Sequence, residues 1–172
     1  LWDERRMSAD THGGNLEALA RQAGRPAAEI LDFSANINPR GPPPWLRPLL
    51  SRQVSGLVHY PDPDCRALVA AAAQRYAAEP AQVLVGNGST ELLYLLAEAA
   101  GRRRAVVPVP AYADYERAAV RAGMPVTRLP LPAAEEFRLR PERLAPLLAP
   151  PAMVFVGHPN NPTGQPCAAD GL

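Results

Sequence analysis

Apolar residues fall into two patterns along this chain, one with helical spacing and one in short continuous runs. The runs at residues 105–109, 126–131 and 153–156 have the composition of strands buried on both faces. A similar run at residues 83–85 leads into a turn at residues 86–88. Helical patterns separate these runs. The order from residue 83 onward therefore predicts an α/β fold of three layers, in which helices cover both faces of a mostly parallel sheet.

The helix ends are predicted from turn formers and capping residues. Gly24 and Gly123 each follow an amphipathic stretch and are expected to end a helix. The Asp62-Pro63 pair is a good start signal for another helix. Helices are predicted at residues 16–23, 45–52, 64–77, from about 88, at 112–122 and at 141–148. An additional short strand is predicted at residues 30–34.

The turn at residues 86–88 and the helix after it form the first candidate site. Ser89 or Thr90 can cap this helix, and Glu91 places a favourable negative charge in its first turn. A glycine-rich turn at a helix start leaves backbone N–H groups that, with the helix dipole, bind anions and most often phosphate. An ordinary strand-to-helix turn has the same residues, so this stretch alone leaves both interpretations open.

Two further loops follow predicted strands, at residues 110–112 and 157–164. Ligands of open α/β sheets bind at the carboxyl ends of the strands, so these loops belong with the turn at residues 86–88. The loops add the ring of Tyr112 and the side-chain amide of Asn161. An anion cradle, a stacking ring and an amide donor are what a planar phosphorylated cofactor requires. A half-buried packing ring is the plainer interpretation of Tyr112.

These loops resemble those of the fold-type I aminotransferases, which use pyridoxal 5′-phosphate. Residues 158–164 contain the family's Asn-Pro-Thr-Gly signature, residues 86–91 resemble its phosphate-binding turn, and residues 110–112 its stacking aromatic. The resemblance covers residues 12–164, nearly the whole chain. It implies that residues 43–172 form part of the cofactor-binding large domain.

The front of the chain resembles a narrower group, the threonine-phosphate decarboxylases of the cobalamin pathway. The similar segments are residues 12–15, 31–39 and 60–62. They favour this group over the related histidinol-phosphate aminotransferases. The resemblance implies that residues 1–42 form an N-terminal arm and part of a small domain.

The resemblance also implies a role for each matched residue. The phosphate of the cofactor would be held by backbone amides and a hydroxyl, the pyridine ring would stack on a tyrosine, and an asparagine would donate to the ring oxygen. A further tyrosine would reach the cofactor phosphate of a neighbouring subunit, which implies a homodimer. The cofactor-binding residues are then Gly88, Ser89, Thr90, Tyr112, Asn161 and Tyr60.

The phosphorylated amino acid would be contacted by a second set of residues, as the same resemblance implies. This set is His12, Gly13, Asn36 and Asn161. His12 also fits a plainer interpretation as a solvated turn residue.

Composition excludes several classes of function. The chain has 172 residues, a net charge of +1 and 47% apolar residues, which suits a globular fold and gives no basic surface for nucleic acid or an anionic membrane. Cys65 and Cys167 match neither a metal-ligand spacing nor a disulfide framework. We therefore expect no metal site, and a reduced, cytoplasmic setting.

The chain contains no lysine, and this restricts the activity that can be predicted for it. All 18 basic residues are arginines, whereas the resembling enzymes carry a catalytic lysine further along the chain. The sequence is thus predicted to be the N-terminal part of an enzyme, inactive alone, and residues 1–6 to be an upstream extension.

Three hypotheses for function follow. The first is a pyridoxal-phosphate-dependent lyase that converts O-phospho-L-threonine to aminopropanol phosphate for cobalamin. The second is a histidinol-phosphate-type aminotransferase, and the third is a non-catalytic truncated remnant.

Overall fold

The computed structural model describes residues 13–101 and 104–167 of the chain. These residues belong to two compact units, Leu1–Pro63 and Asp64–Leu172. The predicted division into residues 1–42 and 43–172 stays a prediction. In the described ranges, no helix combines the length and the apolar composition that crossing a bilayer requires.

The first unit consists of short helices joined by turns. Helix α1 (Leu16–Ala23) begins where the Asn15 side chain accepts a hydrogen bond of 3.0 Å from the Ala18 N–H, and it ends at Gly24 in the left-handed conformation. These local signals confirm the predicted bounds of α1. Helix α2 spans Leu46–Gln53 and continues into a 3₁₀ helix, Val54–Val58.

The second unit contains a parallel sheet of three strands. They are β1 (Ala105–Val109), β2 (Val126–Pro130) and β3 (Met153–Val154), in the order β2-β1-β3. Ala105 at the start of β1 pairs in register with Val126 on one side and Met153 on the other. The parallel arrangement of the sheet is confirmed.

Four helices complete this unit: α3 (Arg66–Tyr76), α4 (Gly88–Ala100), α5 (Ala113–Arg121) and the short α6 (Pro141–Leu144). Each lies within a few residues of its predicted position, although α6 gives way to a 3₁₀ helix, Ala145–Leu147, sooner than predicted.

The two faces of the sheet are buried in separate clusters because alternate side chains of β1 point in opposite directions. Ala105 and Val107 pack with buried residues of α4 and α5 and with Phe155. Val106 packs on the other face with Leu129 and with Leu144 of α6. Helices therefore lie on both faces of the sheet, as the three-layer prediction requires.

Two predicted strands are wrong. Residues 83–85 follow a 3₁₀ helix, Pro80–Gln82, and no strand among the described residues pairs with them. Their β-branched composition is insufficient because a strand needs a partner, and residues 83–85 pair with neither outer edge of the sheet β2-β1-β3. Residues 30–34 end in a turn in which the Asp32 carboxylate accepts hydrogen bonds from the Ser34 N–H and hydroxyl, so local turn chemistry replaces strand pairing.

Candidate functional site

The turn before α4 is built around two close contacts. The Glu91 carboxylate reaches back and accepts a hydrogen bond of 2.6 Å from the Asn87 N–H. A Cβ atom at Gly86 would lie 2.8 Å from that carboxylate and 2.8 Å from a methyl group of Leu92. A larger residue at position 86 would collide with Glu91 and Leu92, so only glycine fits there. Position 88 also favours glycine, because its backbone has a φ of 86°, which residues with a side chain rarely adopt.

The start of α4 differs from the prediction that Ser89 or Thr90 caps it. The capping residue is Asn87, and its side chain makes no capping hydrogen bond among the described residues. The expected caps are wrong because the glycine turn allows the helix to begin earlier, at Gly88. Ser89 and Thr90 consequently lie inside the first turn, where their N–H groups belong to the helix end that attracts anions.

Tyr112 lies immediately before α5 and contacts the first turn of α4. Its hydroxyl oxygen lies 3.1 Å from the Thr90 hydroxyl oxygen. Its ring meets the ring of Tyr115 edge-on, with centroids 5.7 Å apart, and Tyr115 in turn stacks on Phe155 at 5.6 Å. The structure thus brings together two of the predicted cofactor-binding residues, Thr90 and Tyr112, and connects them to the segment that follows β3.

Asp114 is a third member of this cluster that the sequence prediction missed. Only 3% of the residue is exposed. Its carboxylate accepts a hydrogen bond from the Thr90 hydroxyl at 3.3 Å and lies 3.4 Å from a guanidinium nitrogen of Arg117. An acidic residue in the first turn of a helix usually interacts with the helix dipole and stays exposed, so no local pattern indicates that this one is buried.

The cluster shifts the acidity of Tyr112. The hydrogen bond with Thr90 acts to lower the pKa of the phenol, whereas the hydrogen bond with Asp114, burial and the charge of Asp114 act to raise it. The raising effects prevail, and the pKa of Tyr112 lies above its ordinary value of 10.0. The phenol therefore keeps its proton near neutral pH.

The loop at residues 157–164 is held against the end of β1 by Asn160. The Asn160 side-chain amide donates 2.9 Å hydrogen bonds to the Pro110 carbonyl oxygen and to the Thr163 hydroxyl. The Asn160 carbonyl oxygen accepts from the Gly164 N–H at 2.7 Å, which closes the turn. This anchoring asparagine was also missed, because two adjacent asparagines do not reveal from sequence which one points inward.

Asn161, the predicted site residue, is the exposed member of the pair. Its side chain makes no hydrogen bond within the described residues. The loop that carries it lies at the carboxyl end of β3, next to the end of β1, because Asn160 bonds to Pro110 and a Cβ atom at Gly157 would meet the Tyr115 hydroxyl at 3.1 Å.

A matched pair of substitutions tests this anchor. We expect Asn160→Asp to lower the free energy of unfolding by about 2 kcal/mol, because a carboxylate cannot donate to the Pro110 carbonyl oxygen. Asn161→Asp makes the same chemical change at the exposed neighbour, and its cost should stay within about 0.5 kcal/mol. Urea denaturation measures both values. Equal costs for the two substitutions would contradict the anchoring role.

Two of the predicted substrate residues, Gly13 and Asn36, lie in the first unit. The Gly14 N–H donates to the Ser34 hydroxyl oxygen at 2.8 Å, and a Cβ atom at Gly13 would overlap the Ser34 carbonyl oxygen at 1.7 Å. The Ser34 hydroxyl and N–H in turn hold the pKa of the Asp32 carboxyl below its ordinary value. Gly13 therefore packs directly on the loop that leads to Asn36.

The remaining predicted residues make few contacts. Asn36 is exposed, and the Tyr60 side chain is fully exposed. His12 lies outside the described residues. Within residues 13–101 and 104–167, no group of three or more His, Cys, Asp or Glu side chains has the arrangement of a metal site.

Comparison with known proteins identifies the family of this chain. The family model "Aminotransferase class I and II" matches residues 28–172. The chain is 40% identical over 92% of its length to the adenosylcobalamin biosynthesis bifunctional protein CobDQ of Leptospira interrogans, of which it covers 19%. It is 35% identical over 89% of its length to threonine-phosphate decarboxylase of Salmonella typhimurium, of which it covers 42%.

A solved structure shows the same fold. The histidinol-phosphate aminotransferase of Clostridium acetobutylicum superposes with a TM-score of 0.71 at 26% identity, over 83% of this chain and 41% of that one. The chain spans less than half the length of each of these relatives. The family model covers most of the chain, and the chain belongs to the aminotransferase class I and II family.

Proposed function

We propose that the whole protein is a pyridoxal-phosphate-dependent decarboxylase that converts O-phospho-L-threonine to aminopropanol phosphate for cobalamin biosynthesis. The observation that carries this proposal is the similarity, at 40% and 35% identity, to a cobalamin-biosynthesis protein and to a threonine-phosphate decarboxylase. The segments at residues 12–15, 31–39 and 60–62, which resemble the decarboxylases, support the same choice.

Members of the aminotransferase class I and II family use pyridoxal 5′-phosphate. When bound, this cofactor supplies an electron sink for the electron pair left behind as CO2 departs. The residues at the ends of the strands fit the group. The first turn of α4 presents Ser89 and Thr90 without a side-chain cap from Asn87, which leaves a positive helix end for a phosphate.

The proposal assigns a role to each predicted cofactor-binding residue of the second unit. The N–H groups of Gly88, Ser89 and Thr90 surround the phosphate position, although the Gly88 N–H already bonds to the Gly86 carbonyl oxygen at 2.9 Å. Tyr112 provides a ring against which a planar pyridine packs and keeps water from one face of it. The exposed amide of Asn161 donates a hydrogen bond to a ring oxygen.

The first unit would provide the substrate contacts. We propose that His12, Gly13 and Asn36, together with Asn161, bind the phosphorylated amino acid, and that Tyr60 serves the cofactor phosphate of a second subunit in a homodimer. In the same proposal, residues 1–42 are an arm and part of a small domain, residues 43–172 are part of the large domain, and the protein acts in the cytoplasm.

Transamination of histidinol phosphate is the second candidate. It is favoured by the match to the histidinol-phosphate aminotransferase fold and by relatives of that name at 31% identity. Both reactions would use the same cofactor site, and the two candidates differ in which bond to the α-carbon is broken.

Substrate assays of the whole protein that contains this chain separate the candidates. We expect CO2 release from O-phospho-L-threonine and only slow amino-group exchange between histidinol phosphate and a 2-oxo acid. Equilibrium dialysis with pyridoxal 5′-phosphate measures cofactor binding in parallel. Exchange without CO2 release would establish the aminotransferase instead, and cofactor binding without either reaction would favour a non-catalytic remnant.

A further inference from the structure

We infer that Asp32 and Ser34 are positioning residues for substrate binding, because a link of hydrogen bonds through them holds Gly13 and Asn36 in one fixed arrangement that a phosphorylated amino acid contacts. The inference rests on the proposed function, which assigns Gly13 and Asn36 to that substrate. It adds two residues that act on the substrate only through others.

The link begins at the Asp32 carboxylate. One of its oxygens, Oδ1, accepts a hydrogen bond of 2.6 Å from the Ser34 hydroxyl and another of 2.7 Å from the Ser34 N–H. These two bonds hold the pKa of the Asp32 carboxyl below its ordinary value, so the carboxylate is ionised at neutral pH. Hydrogen bonds to an ionised acceptor are shorter and stronger than neutral ones. The backbone and the hydroxyl of Ser34 are therefore fixed by the same oxygen atom.

The link continues from Ser34 to Gly14. A hydroxyl carries one proton and two lone pairs. The Ser34 hydroxyl donates its proton to Asp32, and its oxygen accepts from the Gly14 N–H at 2.8 Å. Successive hydrogen bonds that run in the same direction polarise and strengthen one another. Asp32 thereby acts on Gly14, which belongs to a different segment of the chain, immediately before α1.

Gly13 and Asn36 lie beside the two ends of this link. A Cβ atom at Gly13 would lie 1.7 Å from the Ser34 carbonyl oxygen, so the backbone at position 13 is in direct contact with Ser34. Asn36 is the central residue of a tight turn, closed by the Ile37 N–H, which donates to the Ala35 carbonyl oxygen at 3.0 Å. A shift of Ser34 would consequently move Gly13 and Asn36 relative to each other.

Apolar packing does not hold this loop within the described part of the chain. Leu31, Phe33 and Ile37 expose 81%, 88% and 73% of their surfaces there. Side chains this exposed gain little of the free energy that burial provides. The hydrogen bonds of Asp32 and Ser34 therefore determine how the loop lies on residues 13–14.

Steady-state kinetics of the whole protein that contains this chain test the positioning role. With O-phospho-L-threonine as the substrate, Ser34→Ala should raise KM about tenfold, the effect expected for losing a hydrogen bond in a charge-assisted link. The kcat should change by less than about twofold, because a contact that holds substrate and transition state equally changes KM alone. Asp32→Ala should have the same effect, whereas Asp32→Asn keeps an acceptor oxygen and should raise KM only about threefold.

The double variant Asp32→Ala/Ser34→Ala separates a link from two independent contacts. If Asp32 acts through Ser34, the KM of the double variant should match that of Ser34→Ala within about threefold. Two independent contacts would multiply to a rise of about a hundredfold, and that result would overturn the inference. An unchanged KM in Ser34→Ala or in Asp32→Ala, each verified as folded by circular dichroism, would overturn it as well.

Ser55→Ala is the matched control. It makes the same chemical change at another exposed serine of the first unit, whose hydroxyl donates to the Arg52 carbonyl oxygen at 3.3 Å. Both kinetic constants should stay unchanged in this variant. Equilibrium dialysis should also show unchanged affinity for pyridoxal 5′-phosphate in all the variants, whereas general loss of structure would weaken cofactor binding too.

A measurement without ligand keeps this test separate from the proposed function. At neutral pH, Asp32→Asn should move the Gly14 amide signal in nuclear magnetic resonance spectra, and should leave it in place once Ser34→Ala has removed the link. An equal shift in both backgrounds would refute the link, whether or not the protein releases CO2. Amino exchange of histidinol phosphate without CO2 release would contradict the proposed function alone, and the same KM pattern with that substrate would support the positioning role. Where neither reaction occurs, the Gly14 signal decides.

Discussion

Residues 1–172 on their own are expected to release no CO2 from O-phospho-L-threonine, and to exchange no amino groups, beyond the slow rate of free pyridoxal 5′-phosphate. The resembling enzymes attach the cofactor through a lysine amine, and all 18 basic residues of this chain are arginines. A guanidinium group stays protonated and cannot replace a nucleophilic amine. Assays of CO2 release and of amino exchange, each with added cofactor, measure the loss.

The control for this result is the whole protein under identical conditions. If the chain alone turned over substrate at a rate above that of the free cofactor, the site would not depend on a lysine. The first turn of α4 does not require the missing amine, so weak binding of the cofactor phosphate should survive in residues 1–172 even where turnover is lost.

Ala119→Leu is expected to destabilise the second unit by about 3 kcal/mol. Ala119 is 0% exposed and belongs to a cluster of small residues, with Ala97 and Ala118, where α5 packs on α4 and on β1. Larger side chains at such a junction push the helices apart or force strained rotamers, which costs about 1–3 kcal/mol and sometimes more. Urea denaturation measures the change through a lower transition midpoint at unchanged slope.

Ala113→Leu is the matched control, since it adds the same atoms to the same helix at an exposed position. Its effect on the free energy of unfolding should remain within about 0.5 kcal/mol. A cost for Ala119→Leu as small as that of the control would show that the helices are not in close contact at this point.

The structure could be predicted from the sequence where the interactions that determine it are local. Asn15 and Gly24 set the bounds of α1 through a cap and a left-handed turn, and both signals lie within the helix's own sequence. The parallel pairing of β1 with β2 and with β3 also followed from the alternation of apolar runs with helices.

The structure could not be predicted from the sequence where a residue's role depends on a partner that is distant along the chain. Residues 83–85 have the composition of a strand, but no described strand lies beside them. Asp114 is buried because Thr90 and Arg117 surround it, and Asn160 is turned inward because the Pro110 carbonyl oxygen accepts its amide. Those neighbours come from other parts of the chain, and no periodicity of the local sequence encodes them.

The order of the strands has a consequence for the sequence of events in folding. β1 and β2 are joined through α5 alone, whereas β3 reaches β1 only after a much longer segment has closed. Shorter closures cost less entropy and form faster, so α4, β1, α5 and β2 can assemble as a nucleus before β3 joins them. Thr90 and Tyr112 would then meet before the loop of Asn161 arrives, and pulse-labelled hydrogen exchange would resolve the two stages.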